Sequence, residues 1–378
     1  MITTSENQQE ILNREFQILA KQEGLLPIKV TTFYQKKIDE EVAILGHHEG
    51  PLHRAVYPTK ERMIVRSPDE VADFVDDRNN MPGKLEGVAV RKYANRMLFF
   101  PTDTCAAHCQ YCFRQDVLSD LHTQESSSAA LNAKLTELIQ YLEEHPKVQE
   151  VILSGGDPMT ISYEEMEKIL ITLKERAKIN DIRIHTRTLS FFPKVFKPKT
   201  AKLLGELNVR LVFHIIHPYE IHQEAEESIA RLRSEGVRLY NQFPLLRKIN
   251  DHPEVLRRHL KKLDDFGIRN LSMFIPDPIN YSASFRIRLN RLFSIIDELN
   301  WTTPSWVNST RVVLDTHYGK VRREDLKHYD EEQNIAIFER EGNKIVYKDL
   351  PEHLDQPGDL PTLLWKDYPH HHNRPKTP

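Results

Sequence analysis

Cysteine is nearly absent from this 378-residue chain: there are three, all between positions 105 and 112. So few, so crowded, cannot build a disulfide framework, and in an intracellular chain such crowding points to metal or redox chemistry. No apolar run approaches the roughly 18 residues that would span a bilayer. The opening MITTSENQQE has neither a basic n-region nor an apolar stretch, so the expected location is the cytoplasm, with no membrane partner. Neither sign of charge dominates; a formal net charge of −3 gives no reason to expect nucleic acid as a partner. With 39% hydrophobic residues the chain can fill a sizeable core. The length suits one large α/β domain with terminal extensions.

Organisation follows from periodicity. Residues 1–90 read as an N-terminal helical extension, with Ile11, Leu12, Phe16, Leu19 and Leu26 as its apolar positions, and look like packing rather than chemistry. Ser67-Pro68-Asp69-Glu70 carries a capping-box signature and predicts a helix start there. From Met97 onward, apolar runs at 97–100, 148–153, 182–186, 209–216, 237–240 and 270–275 alternate with amphipathic stretches at 128–144, 162–176, 220–234 and 252–265. Capping boxes are expected at Ser162 with Glu165 and at Asp251 with Glu254. Alternating strands and helices predict a parallel sheet with right-handed crossovers, here an open, partial (β/α)6 barrel over 91–305. Residues 306–378 form a C-terminal segment in which a β-hairpin turns at Gly342-Asn343. Barrel chemistry collects at the C-terminal ends of strands. Cys105, Ser154-Gly155-Gly156-Asp157, Arg187, His217, Asn241-Gln242 and Asp277 all fall at such ends.

Cys105, Cys109 and Cys112 stand four and three residues apart on one loop, a set that can hold three irons of a 4Fe-4S cluster and leave the fourth open. A zinc site completed by His108, or three unrelated buried cysteines, would use the same residues. The CxxxCxxC loop resembles the cradle of radical S-adenosylmethionine (SAM) enzymes. The resemblance implies that the open iron chelates SAM, that Tyr111 packs beside the adenine, and that Ser154, Gly155, Gly156 and Asp157 line the SAM amino-group contact.

Within that group the chain resembles the lysine 2,3-aminomutase family from about Val90 to Glu352. The resemblance is carried by RKYANRMLFFPTDTCAAHCQYCFRQ, VILSGGDPMTIS, RIHTRTLSFFP, HPYEI, VRLYNQFPLLRKIND and DPINYSASFR, in the family's order. It implies a radical SAM barrel that also binds pyridoxal 5′-phosphate (PLP) and moves an amino group between adjacent carbons. Lys320 then matches the PLP lysine, and Lys92, Tyr93, Arg96 and Gln242 match residues around PLP. Arg114 matches the guanidinium that receives the substrate carboxylate, while Asp277 and Asp315 match the carboxylates that hold the ε-ammonium of lysine. The expected substrate is a small basic amino acid, L-lysine first. The expected partners are a transient flavodoxin or ferredoxin as reductant and further copies of the chain in a homo-oligomer.

The family's glycine run before the lysine is replaced by Thr316-His317-Tyr318-Gly319, two residues shorter. That departure leaves a PLP-independent relative open. The same residues also admit arginine as substrate, a lysine aminomutase serving elongation-factor modification, or a non-catalytic iron–sulfur carrier or sensor.

Overall fold

A computed structural model describes residues 4–67, 69–121 and 127–368. Its centre is one nine-stranded sheet in which every strand pairs with its sequence neighbour. The strands are β1 (Ala89–Tyr93), β2 (Arg96–Thr102), β3 (Glu150–Gly155), β4 (Asp181–Thr186), β5 (Arg210–Phe213), β6 (Arg238–Pro244), β7 (Arg269–Phe274), β8 (Arg311–Thr316) and β9 (Gly319–Val321). From β2 to β8 all pairings are parallel, whereas β1 and β9 close the two edges antiparallel. The expected partial barrel is therefore present, and β8 extends its six anticipated strands by one parallel member. The short apolar stretch of β8, Val312 to Leu314, is too brief to announce itself by periodicity.

Strand alternation sorts the side chains. Val151, Leu153, Ile182, Ile184, Leu211, Phe213, Phe243, Met273 and Leu314 join the main apolar core under the helices. Their neighbours on the other face line the lumen. Helices occupy the four amphipathic stretches that the periodicity predicts, and Pro198–Glu206 and Leu289–Thr302 add two that it does not. Ser128–Glu144 buries Leu131, Leu135, Leu138, Ile139 and Leu142, one stripe at helical spacing. Each such side chain contributes about 1.5–3 kcal/mol of burial. Tyr163–Glu175 is opened by the Ser162/Glu165 capping box, with both reciprocal bonds made.

Three local expectations are corrected. Ser67 and Glu70 do not open a helix: Ser67 N–H does donate to the Glu70 carboxylate at 3.4 Å, but the same carboxylate accepts from the Tyr281 and Ala283 backbone N–H groups at 2.9 and 3.0 Å; Pro68 lies outside the described residues. The helix Pro253–Asp265 is capped by the His252 ring rather than by Asp251, whose oxygens are taken by Lys248 N–H and Arg291. The hairpin between β11 (Ile335–Arg340) and β12 (Asn343–Lys348) turns at Glu341-Gly342, one residue earlier than expected, since Arg340 pairs with Asn343. Both turn residues have positive φ (52° and 80°), as a two-residue primed turn requires. With β10 (Leu326–Asp330) these strands form a separate three-stranded antiparallel sheet. In the N-terminal helix Thr4–Glu23, Phe16 is buried against Ala20, Leu25 and Tyr281, while Ile11 is exposed. No helix among the described residues is long and apolar enough to cross a membrane.

Candidate active site

The cysteines occupy the irregular segment between β2 and the helix Gln115–Leu121. Distant backbone holds that loop in place. His108 N–H donates to the Lys29 carbonyl at 2.9 Å, and Gln110 N–H to the Ala55 carbonyl at 2.9 Å. The Nδ1 of His108 is committed to the Pro27 carbonyl at 2.7 Å. All three thiols are free. Burial pushes each of them up, that of Cys112 to about 12, with further upward pressure on Cys105 from Asp157 and from the other two thiols. Buried thiols that repel one another are stabilised as thiolates by a bound metal centre. Among the described residues no three His, Cys, Asp or Glu side chains converge on a single-ion site. Three free thiols on one loop are the donor set that a 4Fe-4S cluster with one open iron takes.

The Ser154-Gly155-Gly156-Asp157 turn is pressed onto the same loop. Gly156 and Asp157 N–H groups donate to the Thr102 and Thr104 carbonyls at 2.9 and 2.8 Å. A Cβ on Gly156 would lie 2.5 Å from the Thr104 carbonyl oxygen, so glycine is required for this approach. The Asp157 carboxylate is spent on β4, accepting from Thr186 Oγ1 at 2.7 Å and Arg187 N–H at 2.8 Å. What the turn offers a ligand is therefore backbone.

Beside it, the Tyr111 ring lies parallel to that of His214, with centroids 5.9 Å apart, and the Arg187 guanidinium lies 5.3 Å from the Tyr111 ring. Arg187 donates to Glu220 at 2.6 Å. Its Nε and Nη1, with the Tyr111 hydroxyl, are buried without a protein hydrogen-bond acceptor or donor in the structure. Such orphaned groups fit a polar ligand that brings hydrogen-bond acceptors, as SAM does with its carboxylate, hydroxyls and adenine nitrogens.

Deeper in the lumen, Tyr93 and Arg96 pair directly across β1 and β2, the guanidinium 4.0 Å from the Tyr93 ring centre. Asp315 and Lys320 pair directly across β8 and β9, which places both side chains on one face. The hairpin between them is tight: Thr316 Oγ1 donates to the Gly319 carbonyl at 2.6 Å, and Gly319 has φ +94°. The shortened loop thus sets Lys320 against Asp315 and above the Phe274 ring, 4.7 Å from its centre. Burial lowers the Lys320 ammonium; Asp315 opposes this, while Arg183, Arg96 and Lys92 reinforce it. A lysine shifted toward its neutral amine, among cations suited to a phosphate, fits PLP. Gln242 donates to His185 Nδ1 at 3.3 Å. Burial first, then Arg183, Lys320 and Arg114, hold His185 well below its ordinary value, so its ring is a neutral lumen group.

Arg114 joins the two levels. Its Nη1 donates to Ser154 Oγ at 3.1 Å and its Nε to Asp77 at 2.8 Å. The other Asp77 oxygen lies 3.3 Å from Lys92 Nζ. Asp77 is buried, and these two cations hold its carboxyl below the usual range against the opposing effect of burial. Asp277 follows β7. Burial and then Asp315 push its carboxyl well up, partly offset by Lys92. A cation placed near both carboxylates would relieve the Asp277 carboxyl.

Sequence reasoning missed Asp77 and His185, and it placed Arg187 at a strand end without giving it a ligand. His185 and Arg187 had a signal, since RIHTR alternates polar residues at 183, 185 and 187. Two residues expected at strand ends lie outside the lumen: Asn241 bonds the Ile215 backbone, and the His217 ring caps its own turn.

The Radical SAM superfamily pattern matches residues 99–260. L-lysine 2,3-aminomutase of Buchnera aphidicola subsp. Baizongia pistaciae (strain Bp) is 34% identical over 254 residues, covering 66% of this chain and 71% of that protein. The enzyme of that name from Escherichia coli (strain K12) is 29% identical over 261 residues, covering 67% and 72%. That from Methanococcus maripaludis is 27% identical over 296 residues, covering 78% and 65%.

Proposed function

The chain belongs to the lysine 2,3-aminomutase family of radical SAM proteins, and from that membership we propose that it is a PLP-dependent 2,3-aminomutase of a basic amino acid, converting L-lysine to β-lysine. The observation that carries the reading is the separation of charge in one lumen. The Asp277 carboxyl, raised by burial and then by Asp315, calls for a cation, while Arg114 supplies a guanidinium beside the cluster loop. An amino acid with a carboxylate at one end and an ammonium at the other answers both.

In this reading Cys105, Cys109 and Cys112 hold the 4Fe-4S cluster, and Tyr111, Arg187 and the Ser154 to Asp157 backbone surround SAM. Lys320 holds PLP, with Lys92, Tyr93, Arg96, His185 and Gln242 around it. Bound together, the cluster with SAM supplies a carbon radical and PLP supplies a π-system that spreads an unpaired electron. The chain's own work is placement. Arg114 fixes the substrate carboxylate through the guanidinium hydrogens that Asp77 and Ser154 leave unused. Asp277 and Asp315 fix the side-chain ammonium and thereby the reach from Cα to Cβ. The walled lumen excludes water from the reacting carbons. A small electron-transfer protein of the flavodoxin or ferredoxin kind is the proposed reductant, in the cytoplasm.

The test is anaerobic incubation of reconstituted protein with SAM, dithionite, PLP and a panel of amino acids, followed by mass spectrometry. Expected are 5′-deoxyadenosine and β-lysine. Products from glutamate or alanine, with none from lysine or arginine, would overturn the two-aspartate reading.

A further inference from the structure

Arg62 is an arginine buried in the N-terminal segment, on the short helix Lys60–Ile64, with 2% of its surface exposed. Its guanidinium reaches into the cysteine loop. Nε donates to Gln110 Oε1 at 2.9 Å and Nη2 to Gln115 Oε1 at 3.1 Å, while Nη1 donates to the Tyr281 carbonyl. Gln110 lies between Cys109 and Cys112, and Gln115 N–H donates to the Cys112 carbonyl at 3.2 Å. The Phe16 and Phe285 rings lie 5.8 and 5.6 Å from the guanidinium carbon.

None of these three acceptors carries a charge. The Glu70 carboxylate acts on Arg62 through space, its oxygens being bonded to Arg66 and to the backbone of Tyr281 and Ala283. A buried cation bonded only to neutral acceptors is costly unless an anion offsets it. Three thiolates around a cubane are such an anion, and its negative charge grows when the cluster takes its electron.

We propose that Arg62 is the internal counter-charge of the cluster, stabilising the three-thiolate centre and favouring its reduced form. The inference rests on the cluster assignment and is independent of PLP and of the substrate. One electron passes from the reductant to the cluster and no proton need move, because the guanidinium stays charged throughout.

The test is a redox titration followed by EPR on anaerobically reconstituted holoprotein, with iron and sulfide counted beforehand. Arg62→Gln and Arg62→Met remove the charge, and Met keeps the buried volume should the Gln variant fail to fold. Arg62→Lys keeps the charge. Lys60→Gln, at an exposed lysine on the same short helix, is the control. At a fixed poise near the wild-type midpoint, the ratio of reduced to oxidised cluster is expected to fall by about tenfold in the Gln and Met variants. Arg62→Lys should recover most of the loss, and Lys60→Gln should match the wild type. Cluster loss in Gln and Met with retention in Lys also supports the counter-charge. Wild-type potentials in Gln and Met overturn it, as does equal cluster loss in all three Arg62 variants with the fold intact. A wild type that shows no 4Fe-4S signal refutes the cluster assignment itself, a separate failure.

Discussion

The two loops that carry the proposed reactive groups are held in opposite ways. The cysteine loop has irregular backbone and takes its shape from afar, through the Pro27, Lys29 and Ala55 carbonyls and the Arg62 guanidinium. The lysine hairpin is self-contained: Asp315 faces Lys320, and Thr316 Oγ1 bonds the Gly319 carbonyl within the same turn. A loop that must receive a large metal centre keeps its backbone N–H and C=O groups paired with remote partners, leaving its side chains for the ligand. A hairpin that presents one amine needs only local register.

The hairpin is where function should break most sharply. Lys320→Ala is expected to lower amino-acid turnover by on the order of 10³-fold. It should also remove the visible absorbance of lysine-bound PLP while leaving the iron content and the circular dichroism unchanged. Turnover and absorbance that persist would show that this hairpin does not carry the PLP lysine.

The cysteine loop is tested without any cofactor. Burial raises all three thiols, so the thiolate fraction in the metal-free protein is small at neutral pH and grows only as the solution becomes alkaline. Because the thiolate is the nucleophile, iodoacetamide should react more than about tenfold slower with the apoprotein at pH 7 than with free cysteine. The rate should climb with pH well past the point where free cysteine levels off. Alkylation at the free-cysteine rate would mean that the remote tethers do not hold the loop closed before metal arrives.

Asp77 links the two regions, since it holds Arg114 beside the cluster turn and Lys92 beside the lumen carboxylates. Asp77→Asn leaves two largely buried cations less compensated and is expected to cost about 2 kcal/mol of stability at pH 7. The wild-type carboxyl is held below its ordinary value, so its contribution is complete above the unfolded carboxyl range and disappears as pH falls through the depressed folded value. The gap between wild-type and variant unfolding midpoints should therefore close in strong acid. A gap that stays constant with pH would assign the loss to packing rather than to charge.

The barrel was legible because two periods alternate cleanly in its sequence, and because capping residues such as Ser162 and Glu165 act within one turn. The cysteines were legible because a spacing on one loop needs no tertiary knowledge. Asp77 and Arg62 were not, for a physical reason. Each acts from a non-periodic segment through a side chain that meets remote partners: Arg114 lies 37 positions from Asp77, and Gln110, Gln115 and Tyr281 lie 48, 53 and 219 positions from Arg62. The Ser67 to Glu70 signature misled for the same reason: Glu70 keeps its bond to Ser67 N–H, but its shorter bonds go to backbone 211 and 213 positions away, and no helix follows. Arg114 was identified, but its occupation by Asp77 required coordinates.

The smallest effect separates two causes of cost in the hairpins. Gly319 has φ +94°, and an added Cβ would stand 3.2 Å from the Tyr93 hydroxyl. Gly342, at the C-terminal turn, has φ +80° but open space around such a Cβ. Gly342→Ala therefore tests backbone strain alone, expected at about 1 kcal/mol. Gly319→Ala adds a contact with a residue that stacks on Arg96, and should exceed the other by several tenths of a kcal/mol, on the order of 0.5. Because Tyr93 would have to yield, Gly319→Ala should also weaken PLP retention, whereas Gly342→Ala should not. Equal stability losses with equal PLP affinity would show that the lysine hairpin and the Tyr93–Arg96 pair do not share one wall of the lumen.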